Sequence, residues 1–133
     1  MKITICGSMD FAKEMAEIKE KLVSQKHEIT VPAELHRYLN DKEKPNNKWE
    51  KLELDVFKNY FKEIKETDAV LIINKTKNEI ENYVGGNALI EMAFAHVLSK
   101  KIFLLNPTPE MNYSDEIDAM KPIILNGDLS LIK

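Results

Sequence analysis

The chain has 133 residues, of which 44% are hydrophobic and 31% are charged, with a formal net charge of −3 at pH 7. This length and this composition are typical of one soluble globular domain spanning residues 1–133. Arg37 is the sole arginine and no basic cluster is present, which argues against binding to a nucleic acid polymer. No apolar run is long enough to cross a bilayer. Because the single Cys6 and the three scattered histidines lack disulfide or metal-ligand spacing, we expect a cytoplasmic protein without a metal site.

The first part of the chain alternates between strand and helix patterns. Residues 2–6 (KITIC) predict a strand that ends at Gly7 and Ser8. Ser8 or Asp10 then caps a helix whose apolar stripe consists of Phe11, Met15, Ile18 and Leu22. Residues 27–31 (HEITV), closed by a proline, predict a second strand.

The middle and the end of the chain continue this alternation. The polar residues 33–50 predict an irregular loop or lid that can contain one helical turn. A helix from about Leu52 to Lys65 directs Leu52, Val56, Tyr60 or Phe61, and Ile64 inward. After Asp68, the run AVLIIN predicts a strand that is buried on both faces of a parallel sheet. The remaining predicted elements are a loop over 75–87, an apolar helix ended by Lys100 and Lys101, a strand IFLLN, a short helix around 116–120 and a final segment IILNGDLSLI.

This order of elements is typical of a doubly wound α/β fold of the flavodoxin or Rossmann type, with helices on both faces of a mostly parallel sheet of four or five strands. Right-handed crossovers favour the strand order 2-1-3-4, with a fifth strand or a C-terminal hook beside strand 4. Ligands of such sheets bind at the carboxyl ends of the strands where the order reverses, here between strands 1 and 3. The residues predicted at this crevice are Gly7, Ser8, Met9, Asp10, Asn74, the loop 75–87 and Asn106.

The segment CGSMDF places a glycine and a hydroxyl group between a strand and a helix N-terminus. Backbone N–H groups there can hold an anion or a sugar hydroxyl group. The alternative is that Gly7 is only a turn residue and Ser8 only a helix cap.

The segment GGNALIE carries a more specific signal. Gly85 and Gly86 allow a backbone to approach a ligand closely, and Asn87 can cap the following helix. Glu91 lies about one turn into that helix, on the same face as Ala88, Met92 and Ala95. Burial raises the pKa of a carboxyl group, whereas a helix N-terminus favours the anion. A poorly solvated carboxylate suits a nucleophile that attacks an electrophilic sugar carbon, and the alternative is a Glu that only complements the helix dipole.

Three segments resemble the nucleoside 2-deoxyribosyltransferase-like superfamily, namely ITICGSMDF, ETDAVLIIN and above all GGNALIEMAFAHVLSKKIFLLN. That superfamily includes transferases that exchange the bases of deoxynucleosides and 2′-deoxynucleoside 5′-monophosphate N-glycosidases. Its pattern is a small-residue loop after a strand, then E-(I/L/M)-x-(F/Y)-A in a helix, and the resemblance covers most of the chain except residues 33–50. It implies that Glu91 attacks the anomeric carbon and forms a glycosyl-enzyme intermediate, and that no cofactor is needed.

The chain departs from this superfamily at two acidic positions. Members keep an acid eight residues before the Asp that opens strand 3, where Tyr60 stands here. Some members keep another acid six residues before the nucleophile, where Gly85 stands here. The arginines with which nucleotide-specific members hold phosphate near the first loop are also absent.

A second resemblance is to the Lonely-Guy-type phosphoribohydrolases, which release bases from nucleotides. It rests on CGS after strand 1 and on GG-x-x-x-x-E after strand 3. The chain lacks the Pro, the third Gly, the Thr and the catalytic Arg of that family, so the first resemblance is favoured. Both families cleave N-glycosidic bonds.

The predicted function is therefore N-glycosidic cleavage of a nucleoside or nucleoside 5′-monophosphate, or transfer of its sugar to another base, through Glu91. The predicted substrate-binding residues are Gly7, Ser8, Met9, Asp10, Tyr60, Asn74, Gly85, Gly86, Asn87 and Asn106. Trp49, Tyr60 and Tyr83 are candidates for stacking on the base, with packing as the alternative. The resemblance also implies a homo-oligomer, a dimer or larger. The competing hypothesis is a non-catalytic nucleotide-binding or sensing module of the same fold.

Overall fold

The computed structural model describes residues 1–39 and 55–133. Five strands form its sheet: β1 (Lys2–Gly7), β2 (Glu28–Thr30), β3 (Ala69–Ile73), β4 (Lys101–Leu104) and β5 (Ile123–Ile124). Within the described residues, five α-helices accompany these strands: α1 (Ala12–Ser24), α2 (Leu35–Leu39), α3 (Val56–Lys65), α4 (Gly86–Val97) and α5 (Ser114–Ala119). Short 3₁₀ turns cover Met9–Phe11 and Leu129–Leu131.

All neighbouring strands of the sheet are parallel, and their order is β2-β1-β3-β4-β5. The register pairs Gly7 at the end of β1 with Ile73 at the end of β3. The predicted α/β fold, its strand order and its fifth strand are thereby confirmed. The order reverses between β1 and β3, so the carboxyl end of β1 lies between the ends of two neighbours and opens a crevice.

Two apolar layers cover the two faces of the sheet, because successive side chains of a strand point to opposite sides. Ile3, Ile5 and Leu71 pack with the apolar stripe of α1 on one face. Cys6 and Ile72 pack with the inner faces of α3 and α4 on the other. Every residue of β3 is buried, as the continuous apolar run AVLIIN predicts. The helices therefore lie on both faces of the sheet.

Several element boundaries differ from those predicted. The second strand is shorter than residues 27–31. The described part of the predicted loop over 33–50 contains the short helix α2, which agrees with the expected helical turn. The rest of that loop or lid, including Trp49, and the predicted inward position of Leu52 lie outside the described residues. Helix α3 is described from Val56, and the side chain of Asp55 accepts a hydrogen bond from the Lys58 amide at 3.3 Å.

Candidate functional site

A cavity of about 420 Å³ opens at the carboxyl end of β1, where the strand order reverses. Its described walls come from the turn after β1, the segment between β2 and α2, the inner face of α3, the loop after β3 and the N-terminal part of α4. This volume lies within the usual range for sites that bind small molecules. The predicted site residues that line it are Gly7, Ser8, Met9, Tyr60, Gly85, Gly86, Asn87 and Glu91.

Gly7 allows β1 and β3 to approach closely at the floor of the cavity. Its φ angle is +153°, and a Cβ atom at this position would lie 3.0 Å from the carbonyl oxygen of Ile73 and 3.2 Å from the terminal methyl group of Met15. A residue with a side chain would therefore be strained and would collide with the β3 backbone. Ser8 follows at the mouth, where its hydroxyl oxygen accepts a hydrogen bond from the amide of Asp10 at 3.2 Å.

The N-terminus of α4 forms another wall. The helix begins at Gly86 and its N-cap is Gly85, so the prediction that Asn87 caps the helix is wrong. Because the N-cap has no side chain to accept a hydrogen bond, the first N–H groups of α4 are left for a ligand or water. Tyr113 fixes the approach to this helix by donating a hydrogen bond from its hydroxyl group to the carbonyl of Val84.

Glu91 reaches the cavity from the second turn of α4. It is only 6% exposed and lies on the buried face with Ala88, Met92 and Ala95, as the helical spacing predicts. None of the hydrogen bonds or ion pairs among residues 1–39 and 55–133 involves its carboxyl group. Burial, and then the negative charge of Glu34, raise the pKa of Glu91 from 4.5 to about 8. At pH 7 the carboxyl group is therefore mostly protonated, because loss of hydration outweighs the effect of the helix dipole.

Tyr60 occupies the place where the resembled superfamily keeps an acid. Its ring lines the cavity, but its hydroxyl group donates a hydrogen bond to the carbonyl of Ile5 inside the core. Burial raises the pKa of Tyr60 well above 10, and negative charge at Cys6 and Glu91 adds to this effect. Burial and the charge of Glu91 likewise raise the pKa of Cys6. Tyr60 is thus held as a neutral hydrogen-bond donor to the backbone of β1.

Lys77 closes one side of the mouth, which the sequence did not indicate. Its ammonium group donates to the hydroxyl oxygen of Ser8 at 2.8 Å and pairs with the carboxylate of Asp10 at 2.9 Å. It also lies 5.5 Å from the centre of the Tyr83 ring, another lining residue. The Lys77 side chain is only 26% exposed and is therefore held at the mouth rather than directed into solvent.

Two acidic residues of the wall were also missed, Glu34 after β2 and Glu63 on α3. The strand order offered a signal for Glu34, because β2 adjoins β1 and its carboxyl end borders the same crevice. Glu63 follows Tyr60 by three residues and therefore shares a face of α3 with it. Neither position stands out in the local sequence, since both belong to polar segments.

Three of the predicted residues do not line the cavity. Asp10 lies beside it through its ion pair with Lys77. Asn74 and Asn106 instead join the ends of β3 and β4. The Asn74 side chain accepts from the Asn106 amide at 2.8 Å and donates to the Asn106 carbonyl at 2.9 Å, while the Asn106 side chain donates to the Asn74 carbonyl at 3.0 Å. These contacts use the polar groups that the prediction assigned to substrate binding.

The described residues contain neither a metal-binding cluster nor a helix suited to cross a membrane. No group of three or more His, Cys, Asp or Glu side chains within residues 1–39 and 55–133 is arranged to hold a metal ion. None of the helices in this part of the chain has the length and apolar character needed to cross a membrane.

Comparisons with known proteins give a match at the level of the fold. No protein-family model and no curated protein matches the chain. Among solved structures, the chain is similar to the CMP N-glycosidase BcmB of Clostridium botulinum, with a TM-score of 0.51 and 16% sequence identity. The alignment covers 95% of this chain and 90% of the other. At this identity the similarity concerns the fold, and at that level it confirms the fold implied by the resemblance to the nucleoside 2-deoxyribosyltransferase-like superfamily.

Proposed function

We propose that this protein cleaves the N-glycosidic bond of a nucleoside or nucleoside 5′-monophosphate, or transfers the sugar to another base. The observation that carries this proposal is the carboxyl group of Glu91, which is buried, faces a cavity of suitable size and has no hydrogen-bond partner among the described residues. A largely desolvated carboxyl group without a protein partner is unfavourable for folding, and the access of its oxygens to the cavity favours a role toward a ligand. The fold shared with a CMP N-glycosidase supports the same class of reaction.

The proposed chemistry starts with attack of a Glu91 carboxylate oxygen on the anomeric carbon. The bond from this carbon to the base nitrogen breaks, its electron pair leaves with the base, and a glycosyl ester forms on Glu91. Water or a second base then displaces Glu91 from the sugar. The N–H groups at the start of α4 lie along the same wall and stabilise the negative charge of the Glu91 carboxylate before it attacks.

Glu91 must be a carboxylate when it attacks, whereas its pKa of about 8 favours the protonated form at pH 7. The departing base, by contrast, must gain a proton. A single proton meets both requirements. It leaves Glu91, passes to a neighbouring acid and is then transferred to the departing base.

The test is incubation of the protein with a panel of nucleosides and 5′-monophosphates, CMP included, with chromatography of the free base. We expect release of base from at least one member of the panel. Glu91→Gln should lower this rate by at least about a thousandfold, while the exposed α1 variant Glu17→Gln serves as the control. Mass spectrometry of a quenched reaction should find the sugar on the peptide that contains Glu91. Release that is unchanged in Glu91→Gln would overturn the assignment of the nucleophile.

A second candidate is a nucleotide-binding or sensing module without catalysis. The hydrogen bond from Tyr60 to the Ile5 carbonyl favours this second candidate. Tyr60 stands where the resembled superfamily keeps an acid, and this contact already engages its hydroxyl group. Calorimetric titration with the same panel separates the two candidates. Binding without release of base would support the module, and binding followed by release would support the enzyme. Assembly into a homo-oligomer remains a prediction, which sedimentation velocity would test.

A further inference from the structure

Two carboxyl groups face the cavity from elements on the two sides of β1. Glu34 belongs to the segment that follows β2, and Glu91 belongs to α4, which follows β3. Since β2 and β3 are the two neighbours of β1 in the sheet, the fold itself brings these residues to one crevice. They are 57 positions apart in the chain, so no local motif relates them.

Glu34 is held in place by its own turn. The amide of Leu35 donates to the Pro32 carbonyl at 3.0 Å, and the amide of Arg37 donates to the Glu34 carbonyl at 2.9 Å. Leu35 and Pro32 are buried, and Leu35 belongs to the core layer under α1. This packing fixes the backbone on both sides of Glu34, while the Glu34 side chain remains partly exposed at the cavity.

Neither carboxyl group has a counter-charge in the described part of the chain. No hydrogen bond or ion pair among residues 1–39 and 55–133 involves the carboxyl oxygens of Glu34 or Glu91. Lys77 is the one basic side chain among the described residues of the wall, and Asp10 and Ser8 already bind it. The charge of Glu34 accordingly adds to burial in raising the pKa of Glu91. A buried acid without a protein partner, beside a second acid on the same cavity, is a candidate site for a ligand.

Resting on the N-glycosidic activity proposed above, we propose that Glu34 is its acid/base residue. In the first step the proton of Glu91 passes to the Glu34 carboxylate, and Glu34 donates it to the base nitrogen as the bond from this nitrogen to the anomeric carbon breaks and the Glu91 carboxylate bonds to that carbon. In the second step the Glu34 carboxylate removes a proton from water, the water oxygen bonds to the anomeric carbon, and the Glu91 carboxylate leaves. The sum is nucleoside plus water giving free base plus sugar, with Glu34 and Glu91 restored.

The other titratable groups around Glu91 fit this role less well. Tyr60 donates its proton to the Ile5 carbonyl, and Cys6 is fully buried in the sheet with its pKa raised by burial. Glu63 lines the same cavity but is exposed, and its charge is not among the causes that raise the pKa of Glu91. In this proposal Glu34, in the segment after β2, takes over the role of the acids that the resembled superfamily keeps at the positions of Tyr60 and Gly85.

The experiment compares two kinds of leaving group in wild type, Glu34→Gln and Glu63→Gln. One substrate is the nucleoside or nucleotide that the wild type cleaves best, whose base needs a proton to depart. The other is the matching 4-nitrophenyl glycoside, whose nitrophenolate departs without one. We expect Glu34→Gln to lower kcat/KM for the first substrate by about 10²- to 10⁴-fold and for the second by less than about tenfold. Azide should accelerate the variant on the nitrophenyl substrate and yield the glycosyl azide, because azide attacks without base assistance.

The other possible results would contradict either the role of Glu34 or the proposed function. Equal losses on both substrates, or no loss on either, would overturn the role of Glu34 while leaving the N-glycosidic function standing. The same leaving-group pattern in Glu63→Gln instead of Glu34→Gln would also overturn it and would move the role to Glu63. Absence of turnover by the wild type on both substrates would overturn the proposed function itself. Circular dichroism melts of each variant verify that the losses come from folded protein, and Glu34→Asp provides a second, milder variant with the same expected order of effects.

Discussion

Glu91 and Glu34 line one cavity, where burial, and then the negative charge of Glu34, raise the pKa of Glu91 to about 8. The two residues come from segments after β2 and after β3, which flank β1 in the sheet. Their proximity therefore follows from the reversal of strand order, the feature that also opens the crevice.

The pKa of Glu91 predicts how stability depends on pH. The folded protein binds more protons than the unfolded chain between pH 4.5 and about 8, because the pKa is raised on folding. The contribution of Glu91 to the free energy of unfolding is therefore fully present below pH 4.5 and is lost as pH rises to about 8. The loss is of order 5 kcal/mol. Thermal denaturation from pH 5 to pH 9 should show a falling Tm for the wild type and a smaller fall for Glu91→Gln. An equal fall in both proteins would contradict the assigned pKa.

The hydrogen bond from Tyr60 to the Ile5 carbonyl predicts that Tyr60 contributes to stability rather than to proton transfer. We expect Tyr60→Phe to lower the free energy of unfolding by about 1 to 2 kcal/mol, since it leaves a buried carbonyl group without this donor. Any turnover should persist within about tenfold. Urea denaturation and steady-state kinetics measure the two effects, and loss of turnover with unchanged stability would instead make Tyr60 the acid.

Gly7 and Gly86 differ in the space around their Cβ positions, which predicts different effects of substitution by alanine. Gly7→Ala should destabilise the protein by about 1 to 3 kcal/mol, because the new Cβ atom meets the Ile73 carbonyl oxygen at a φ of +153°. Gly86→Ala should be neutral or stabilising by up to about 1 kcal/mol, because no atom lies within 4 Å of its Cβ position in a helical turn. Thermal melts compare the two variants, and equal destabilisation would contradict the geometry at Gly7.

The open space at Gly86 also predicts a steric test of the cavity. Gly86→Leu should remain as stable as Gly86→Ala, since its side chain extends into the open region beside the wall. We expect it to weaken nucleoside binding by at least about tenfold, because the leucine occupies volume that the ligand needs. Calorimetric titration measures the binding, with Gly86→Ala as the control. Unchanged affinity in Gly86→Leu would place the ligand elsewhere.

Lys77 predicts a preference among substrates. Since it is the one basic side chain of the described wall, we expect Lys77→Met to raise KM for a 5′-monophosphate by about tenfold or more and KM for the nucleoside by less. Lys75→Met, an exposed change in the same loop, is the control. Equal changes in KM for both substrates would show that Lys77 orders the mouth through Ser8 and Asp10 without contacting a phosphate.

The accuracy of the sequence predictions differs between parts of the site. Glu91 was found because it interrupts an apolar helix face at helical spacing after two glycines, and Gly7 and Ser8 were found because they end a strand at the order reversal. Glu34 and Lys77 were missed because each is a charged residue in a polar loop, where the local pattern is that of a solvated surface. Asn74 and Asn106 were placed correctly at strand ends, but their side chains meet each other rather than the cavity.

The sequence by itself determined the alternation of strands and helices and the burial of Glu91, because these properties follow from apolar periodicity along short segments. It also determined the strand order, because right-handed crossovers leave few arrangements of these elements. Only the tertiary structure decided which acids meet across the crevice, which basic group closes its mouth and where the Tyr60 proton goes. These relationships join residues far apart in the chain, and their strength depends on burial. The protonation state of Glu91 is decided in the same way, since loss of hydration and the charge of Glu34 together outweigh the dipole of its own helix.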